Sequence, residues 1–426
     1  MGPRFSRWRR CLRCQIVQSW PQPLINAPRK RWVSHRSCYR WPSDAVAEFE
    51  ARPYDRLIPD DRHSRMTYER AHLKAMQGYT PGQQPDTPAI KLNTNENPYP
   101  PGPAVAHALS SFPLDMLQRY PDPLAGAFRA SVARLHRLAP ANVIATNGGD
   151  ELLRLALTTF LDPGKPLGLL TPSYGLYSVL ATIHGSPLAS VPLGNDWSVP
   201  DNTAERWNAA GVPLAIMTNP HAPSGTLASA AELHKLALTF RGVLLVDEAY
   251  VDFVDPEIGH ETSTMVAAYP NVLLLRTLSK GYSLAGLRLA YGLGAAGLVA
   301  PMLSKTKDSY NVDAITQAVG TAALEDVRSA ARSWEAVRHQ RGALDLALTA
   351  IGFPCSPSQA NFLLATVPAG GRWHSAEEVY RSLMAQRIFV RWFNEEGLRD
   401  KLRISIGTPE ENQHLVEALR LLGGSR

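Results

Sequence analysis

The sequence predicts an α/β fold, in which a large domain with a mainly parallel sheet is followed by a smaller α+β domain. Six short apolar runs recur after about residue 140, and stretches of helix length separate most of them. Each run is apolar on both faces, as expected for parallel strands that helices cover on both sides. A long stretch rich in Ala, Leu, Arg and Glu, 313–351, then predicts the second domain.

The predicted elements follow one another in a regular order. The six strands are 143–145, 167–170, 214–217, 243–246, 272–275 and 289–292, and the clearest helices between them are 151–161, 177–184 and 229–240. After the long helix of 313–351, the second domain is expected to contain strands at 361–365, 388–390 and 402–406 and a closing helix from Glu410. This alternation is typical of a sheet with crossover helices.

The N-terminal segment, residues 1–65, differs in composition from the rest of the chain. It carries 14 basic and six acidic residues, a net charge of +8, whereas the remainder carries 30 basic and 32 acidic residues. We expect a disordered basic extension here, or upstream sequence read from too early a start codon. A mitochondrial presequence and a basic arm for nucleic acid are the other interpretations. The expected division is 1–65 as the extension, 66–95 packing on the body, 96–308 as the large domain and 309–426 as the small domain.

Composition excludes several classes of protein. With 45% apolar and 19% charged residues, the chain can bury a sizeable core, which argues against global disorder. No apolar stretch reaches the roughly 18 residues of a membrane span, and the near-neutral body gives no reason to expect nucleic acid as a partner. Four cysteines are too few for a disulfide framework and are typical of a reducing compartment, so we expect a cytoplasmic protein without a metal site.

Polar residues that directly follow the predicted strands are the candidates for a functional site, because ligands bind at the carboxyl ends of parallel strands. Gly-Gly-Asp at 148–150 opens a helix and could hold an anion, although a tight turn with an acidic cap is the simpler explanation. Tyr174 and Asp247 follow two other strands. Lys280 follows a third, which is unusual because lysine is almost never buried without a partner.

Together these residues meet the requirements of pyridoxal phosphate. This cofactor needs a desolvated lysine to attack its carbonyl group, an acidic partner for its ring nitrogen, a ring to stack on and a phosphate cup. We assign Lys280, Asp247 and Tyr250 as catalytic residues, with Tyr250 donating to the ring 3-oxygen. The cofactor-binding set contains these three residues together with Gly149, Asp150, Tyr174, Ser279 and Arg288.

The order G-G-D-E, P-S-Y, D-E-A-Y and S-K-x7-R resembles that of fold-type I pyridoxal-phosphate aminotransferases, from about Met66 to the C-terminus. Residues 91–99 resemble the L-x-x-N-E-N-P opening of histidinol-phosphate aminotransferases, and 119–122 resemble their R-Y-P segment. The resemblance implies a sheet of the seven-stranded type and a transaminase of histidine biosynthesis. Its small-molecule substrates would be L-histidinol phosphate and 2-oxoglutarate, with the Lys280 amine as general base and acid.

The same resemblance implies further site residues. It implies a homodimer in which Tyr120 reaches the cofactor phosphate in the partner's site, and a substrate pocket lined by Tyr79. Arg403 would bind the substrate phosphate with help from Arg391, since two guanidinium groups suit a dianion. The expected substrate-binding set is completed by Asn95 in the N-E-N-P opening and by Asn361, which would line the pocket or cap a turn.

One segment departs from the family's pattern. The family often reads S-P-N-N-P-T-G, with its second Asn on the cofactor's 3-oxygen, whereas residues 219–225 read N-P-H-A-P-S-G and place Ala222 at that position. Asn219, His221 or Tyr250 could supply the missing contact. We include Asn219 in the cofactor-binding set.

Alternative functions remain open at this level. An aromatic amino-acid aminotransferase and a threonine-phosphate decarboxylase would use the same fold and cofactor. A protein of a different class, a regulator that binds pyridoxal phosphate and carries a basic DNA-binding arm, is disfavoured because prolines interrupt residues 1–65 and no helix-turn-helix periodicity is visible there.

Overall fold

A seven-stranded sheet forms the centre of the protein in the computed structural model, which describes residues 68–85, 88–368 and 375–423. The strands of the protein are β1 (Ile90–Lys91), β2 (Val143–Thr146), β3 (Leu167–Thr171), β4 (Leu188–Pro192), β5 (Leu214–Thr218), β6 (Val243–Asp247), β7 (Val272–Thr277), β8 (Ala290–Gly294), β9 (Phe362–Thr366), β10 (Ile388–Phe389), β11 (Arg391–Trp392) and β12 (Lys401–Ser405). The strand order of the large sheet is β2-β8-β7-β6-β5-β3-β4. Only β8 runs antiparallel to its neighbours, so this sheet is mainly parallel, as predicted.

Helices cover the large sheet and join its strands. They are α1 (Pro103–Ser110), α2 (Gly126–His136), α3 (Gly149–Phe160), α4 (Leu176–His184), α5 (Thr203–Ala209), α6 (Ala230–Thr239), α7 (Met265–Ala268), α8 (Ala296–Pro301), α9 (Ala314–Glu325), α10 (Val327–Ala350), α11 (Ala376–Ala385) and α12 (Pro409–Gly423). Every residue of β2, β5 and β8 is buried. The continuous apolar runs of the sequence therefore reflect burial on both faces of the sheet.

Two further, smaller sheets contain the strands of the C-terminal part of the chain. Strands β11, β12 and β9 form an antiparallel sheet, and β1 pairs in parallel with β10. In the antiparallel sheet Arg391 of β11 stands opposite Arg403 of β12. This register brings two cations side by side, and both belong to the predicted substrate-binding set.

The structure corrects two expectations about the elements. The single long helix expected over 313–351 is wrong: α9 and α10 are separate, and Asp326 between them has φ −106° and ψ 43°, outside the helical region. Aspartate favours helix ends because its side chain competes for backbone hydrogen bonds. Strand β4 was not expected, because this edge strand is largely exposed and ends at Pro192, so it shows no apolar run.

The described residues belong to one compact unit. The expected boundary between a large and a small domain near residue 308 therefore remains a prediction, and the expectations about residues 1–65 fall outside the described part. Within that part, no helix has the length and apolar character needed to cross a membrane, and no group of His, Cys, Asp or Glu side chains is arranged to hold a metal ion. The thiol of Cys355 is free.

Candidate active site

A cavity of about 330 Å³ opens at the edge of the large sheet where β5, β6 and β7 end. Its volume is in the range of small-molecule binding sites. Twelve of the fifteen predicted site residues line it: Tyr79, Asn95, Gly149, Asp150, Tyr174, Asp247, Tyr250, Ser279, Lys280, Arg288, Arg391 and Arg403. The structure therefore brings together residues that lie more than 300 positions apart in the sequence.

Lys280 follows the end of β7 by three residues. Its Nζ donates a hydrogen bond to the backbone oxygen of Thr94 at 2.8 Å. Burial, assisted by the nearby Arg403 cation, lowers the pKa of Lys280 to about 8. An amine with this pKa is partly neutral near neutral pH, and the neutral form is the one that acts as nucleophile or base.

Asp247 is the last residue of β6 and is 6% exposed. Its Oδ2 accepts a hydrogen bond from the Tyr177 hydroxyl at 2.7 Å, and its Oδ1 accepts one from the Ala249 N–H at 3.1 Å. Burial raises the pKa of Asp247 to about 6. No cationic side chain of the described chain lies at ion-pair distance from this carboxylate. A buried carboxylate of this kind is stabilised by a positively charged partner.

Tyr177 is a site residue that the sequence did not single out. It lies in the first turn of α4 and is fully buried, and its hydroxyl is also 2.7 Å from the Thr218 Oγ1 at the end of β5. Because the hydroxyl donates to Asp247, it accepts from Thr218. Its position three residues after Tyr174, at the start of the helix that follows β3, is the one signal in the sequence that could have identified it.

An anion cup, formed by Gly149, Asp150, Ser279 and Arg288, lies at the N-terminus of α3. The preceding Gly148 has φ +77°, and a Cβ atom there would lie 2.6 Å from the Arg288 Nη2. The positive φ favours glycine at this position, where the backbone passes close to the guanidinium group. The free N–H groups of the helix N-terminus, together with this cation, attract a phosphate group.

The two arginines of the small sheet reach the same cavity. The Arg403 Nη2 donates to the backbone oxygen of Asn93 at 2.9 Å, while its buried Nε has no hydrogen-bond partner among the described residues. The guanidinium carbons of Arg391 and Arg403 lie 5.5 and 5.6 Å from the centre of the Phe393 ring. One ring thus contacts both cations, and the unpartnered Nε is available to an anionic ligand.

Three predicted site residues do not line the cavity. The Asn219 amide forms a pair of hydrogen bonds with the backbone of Ala228, at 2.8 and 3.1 Å. Asn361 is buried and donates to the backbone oxygen of Asn95 at 2.9 Å. Tyr120 is 80% exposed and stacks on Tyr310 with 4.4 Å between ring centres. In this single chain, Asn219 and Asn361 hold loops, and Tyr120 is directed to solvent.

The residues present fit pyridoxal phosphate. Asp247 is a buried carboxylate without a cation, which suits a protonated ring nitrogen, and the anion cup suits the phosphate. The Lys280 amine and the aromatic ring of Tyr174 line the same cavity. Each requirement of the cofactor is therefore met by a side chain of this cavity.

Comparison with known proteins agrees with this fit. The family described as aminotransferase class I and II matches residues 87–419. Histidinol-phosphate aminotransferase 1 of Trichormus variabilis is 40% identical over 83% of this chain and 98% of its own length. The histidinol-phosphate aminotransferase of Geotalea uraniireducens is 37% identical over 83% of this chain and 99% of its own.

Solved structures support the fold. The histidinol-phosphate aminotransferase of Sinorhizobium meliloti in complex with pyridoxal-5'-phosphate superposes with a TM-score of 0.72 at 25% identity, covering 78% of this chain and 90% of that chain. An aspartate aminotransferase variant of Thermus thermophilus gives a TM-score of 0.69 at 21% identity, covering 84% and 100% of the two chains. At that identity the likeness concerns the fold alone.

The fold and the site thus define a pyridoxal-phosphate-dependent transaminase of fold type I, and the chain belongs to the class I and II aminotransferases. Within them it is 35–40% identical, over most of its length, to curated histidinol-phosphate aminotransferases, and it belongs to that family.

Proposed function

We propose that the protein reversibly transfers an amino group between L-histidinol phosphate and 2-oxoglutarate, giving imidazole-acetol phosphate and L-glutamate, as a step of histidine biosynthesis. The observation that carries this proposal is one cavity lined by both the amine–carboxylate pair, Lys280 and Asp247, and the two arginines, Arg391 and Arg403. The names of the curated relatives support the choice of substrate.

Pyridoxal phosphate is the proposed cofactor. When bound, it supplies an electron-withdrawing ring that stabilises the negative charge left when the substrate carbon loses a proton. Asp247 keeps the ring nitrogen protonated, which strengthens this withdrawal. The anion cup holds the phosphate, and the Tyr174 ring packs against the cofactor.

Lys280 moves the proton. Its amine would take the proton from the substrate carbon that bears the amino group and return it to the carbonyl carbon of the cofactor, acting first as general base and then as general acid. A pKa of about 8 suits both roles. Near neutral pH a fraction of the amine is neutral and can accept a proton, and the protonated amine can donate one.

The lowered pKa of Lys280 leads to an expectation about cofactor capture. The rate at which cofactor-free protein takes up pyridoxal phosphate should rise with pH and level off above about pH 8, because only the neutral amine attacks a carbonyl group. Stopped-flow absorbance over a series of pH values measures this rate. A rate that keeps rising toward about pH 10.4, the ordinary pKa of lysine, would contradict the effect of burial.

The arginines bind the anionic end of each substrate, the phosphate of histidinol phosphate or the distal carboxylate of 2-oxoglutarate. Phe393 contacts both guanidinium groups, so we expect Phe393→Leu to raise the KM for histidinol phosphate by about 3- to 30-fold, the equivalent of losing one or two cation–π contacts. The affinity for pyridoxal phosphate should not change.

Steady-state kinetics and cofactor titration of the Phe393→Leu variant measure these two quantities. Tyr380→Leu is the matched control, because this ring stacks on Trp392 in the same region and does not line the cavity. A KM that is unchanged in the Phe393 variant, or a loss of cofactor affinity instead, would contradict the role of the ring.

An absorption spectrum of the purified protein with bound pyridoxal phosphate tests the proposed reaction. Adding L-histidinol phosphate should shift the cofactor band, and phenylalanine, tyrosine or O-phosphothreonine should not. A shift with the aromatic amino acids alone would identify an aromatic aminotransferase, and carbon dioxide release from O-phosphothreonine would identify a decarboxylase. Absence of any band after adding the cofactor would overturn the enzyme assignment.

A homodimer completes the proposal, with Tyr120 of one subunit reaching the cofactor phosphate of the other. A group of exposed apolar side chains between residues 109 and 124 includes Tyr120 and supports this arrangement, because monomeric proteins rarely expose large apolar patches. Its members are Leu109, Leu114, Met116, Leu117, Tyr120 and Leu124, which are between 45% and 80% exposed.

Mixing two inactive variants tests the shared site. Subunits with Lys280→Ala keep Tyr120, and subunits with Tyr120→Ala keep Lys280, so a mixed dimer contains one complete site. Unfolding and refolding an equal mixture should recover about a quarter of the wild-type activity, given random pairing of closed dimers. Recovery no greater than the residual activity of the two parents would show that Tyr120 does not act across an interface.

The proposed location is the cytoplasm. The free thiol of Cys355 is consistent with a reducing compartment. Fractionation of cells that express the natural gene, followed by detection of the protein, tests this location.

A further inference from the structure

The hydroxyl group of Tyr250 is held by a buried asparagine. The Asn95 Nδ2 donates to this hydroxyl at 3.1 Å. Asn95 is 1% exposed and Tyr250 9% exposed, and both line the cavity. The contact joins residues 155 positions apart, so it is a tertiary feature of the site and not a local turn.

The direction of this hydrogen bond is set by Ser405. The Asn95 backbone N–H donates to the Ser405 Oγ at 2.8 Å, and the Ser405 hydroxyl in turn donates to the Asn95 Oδ1 at 3.1 Å. The amide oxygen therefore faces Ser405 and the amide nitrogen faces Tyr250. Since the Tyr250 hydroxyl accepts from the amide, its own proton is left to donate to another acceptor.

No described residue accepts that proton, and the neighbouring candidates for contact with a ligand are engaged elsewhere. Asn219 bonds to the Ala228 backbone. His221 has its Nδ1 2.7 Å from the Ser224 Oγ and its Nε2 2.9 Å from the Pro172 backbone oxygen. Ala222 lines the cavity but has no polar side-chain atom. Of the three residues that could replace the missing asparagine contact to the cofactor's 3-oxygen, only Tyr250 therefore remains.

We propose that Asn95 is a positioning residue, which fixes the Tyr250 hydroxyl as the hydrogen-bond donor to the 3-oxygen of pyridoxal phosphate. This inference rests on the proposed function only for the identity of the cofactor, not for that of the substrate. The sequence predicts that Asn95 contacts the substrate. In the present proposal Asn95 instead orients Tyr250, which contacts the cofactor.

The expected consequence is electrostatic. A hydrogen bond donated to the 3-oxygen stabilises its negatively charged form, so the absorption band of the bound cofactor changes with pH at a lower midpoint. The charged or titratable groups that act on Tyr250 are Arg403, Asp247 and Tyr79, and all of them stay unaltered in the variants below. A shift of the midpoint therefore reports on the Asn95–Tyr250 contact.

The experiment is a double-mutant cycle on the holoenzyme without substrate, read as the pH midpoint of the cofactor band. Tyr250→Phe should raise the midpoint by about one to two pH units, the value of a hydrogen bond to a charged group. Asn95→Gly removes the amide and is suited to the backbone at this position, which has φ +53°. It should raise the midpoint by roughly half a unit or more when Tyr250 is present, and leave it unchanged in the Tyr250→Phe background.

A second variant keeps the inference testable if Asn95→Gly does not fold. Asn95→Asp keeps the shape and the tolerance for this backbone conformation, but its carboxylate accepts the Tyr250 proton. The midpoint should then rise more with Tyr250 present than in the Tyr250→Phe background, where only the added charge acts.

The outcomes separate this inference from the proposed function. Equal shifts in the two backgrounds, or no shift in either, would overturn the positioning role of Asn95 while the cofactor band itself leaves the enzyme class intact. No cofactor band in the wild-type protein would overturn both. If the double-mutant cycle gives the expected shifts but the cofactor band does not respond to L-histidinol phosphate, the role of Asn95 is supported and the proposed substrate is wrong.

Discussion

Lys280→Ala should lower kcat by at least about 10⁴-fold, the upper range of general acid–base catalysis, because the same amine also holds the cofactor. No second lysine of the described chain lines the cavity. The variant should retain its fold, since removing a buried lysine with a lowered pKa removes a desolvation cost together with one hydrogen bond to Thr94.

Single-turnover spectra and circular dichroism of the variant separate chemistry from folding. Lys305→Ala is the matched control, because Lys305 is exposed and lies outside the cavity, and it should keep wild-type turnover. A Lys280→Ala protein with normal kcat would remove the basis of the proposed mechanism.

Asp247→Asn should lower kcat/KM by about 10²- to 10⁴-fold. The carboxylate is the buried partner proposed for the positive ring nitrogen, and losing one member of a buried ion pair costs roughly 3–5 kcal/mol, with each 1.4 kcal/mol equal to a factor of ten. Asparagine keeps the size of the side chain. Its amide oxygen can still accept from the Ala249 N–H, while its amide nitrogen faces the Tyr177 hydroxyl, which then accepts instead of donating. The change therefore removes the negative charge and reverses one hydrogen bond.

Steady-state kinetics of Asp247→Asn should be compared with those of Asp252→Asn. Burial raises the pKa of Asp252 to about 6, as it does for Asp247, but Asp252 does not line the cavity. Asp252 is half-buried, and the control variant reports the general cost of removing a carboxylate whose pKa is raised. Equal losses in the two variants would show that Asp247 has no special relation to the cofactor.

The large sheet could be predicted because its central strands are apolar on both faces. β5, for example, is buried at every position, and its boundaries differ from the predicted run by one residue. The edge strand β4 was missed because exposure leaves it without a pattern, and the break between α9 and α10 at Asp326 was missed because composition alone does not interrupt a helix.

Within the site, residues that follow strands could be found in the sequence, because a strand end points to one edge of the sheet. Contacts between distant segments could not. The Asn95–Ser405 hydrogen bond spans 310 positions, and the Phe393 ring contacts its two arginines through the pairing of β11 with β12. Such contacts depend on how segments pack, and a single sequence gives no signal for them.

The register of Arg391 opposite Arg403 has a consequence for how such an enzyme diversifies. The residues proposed to carry out the reaction, Lys280 and Asp247, lie at the end of the large sheet. The two arginines proposed to select the substrate lie on a short hairpin of a different sheet. Substitutions on that hairpin can change which substrate gives or receives the amino group, while the residues that carry out the reaction stay the same. A duplicated gene would therefore acquire a new amino donor through a few codons in β11 and β12.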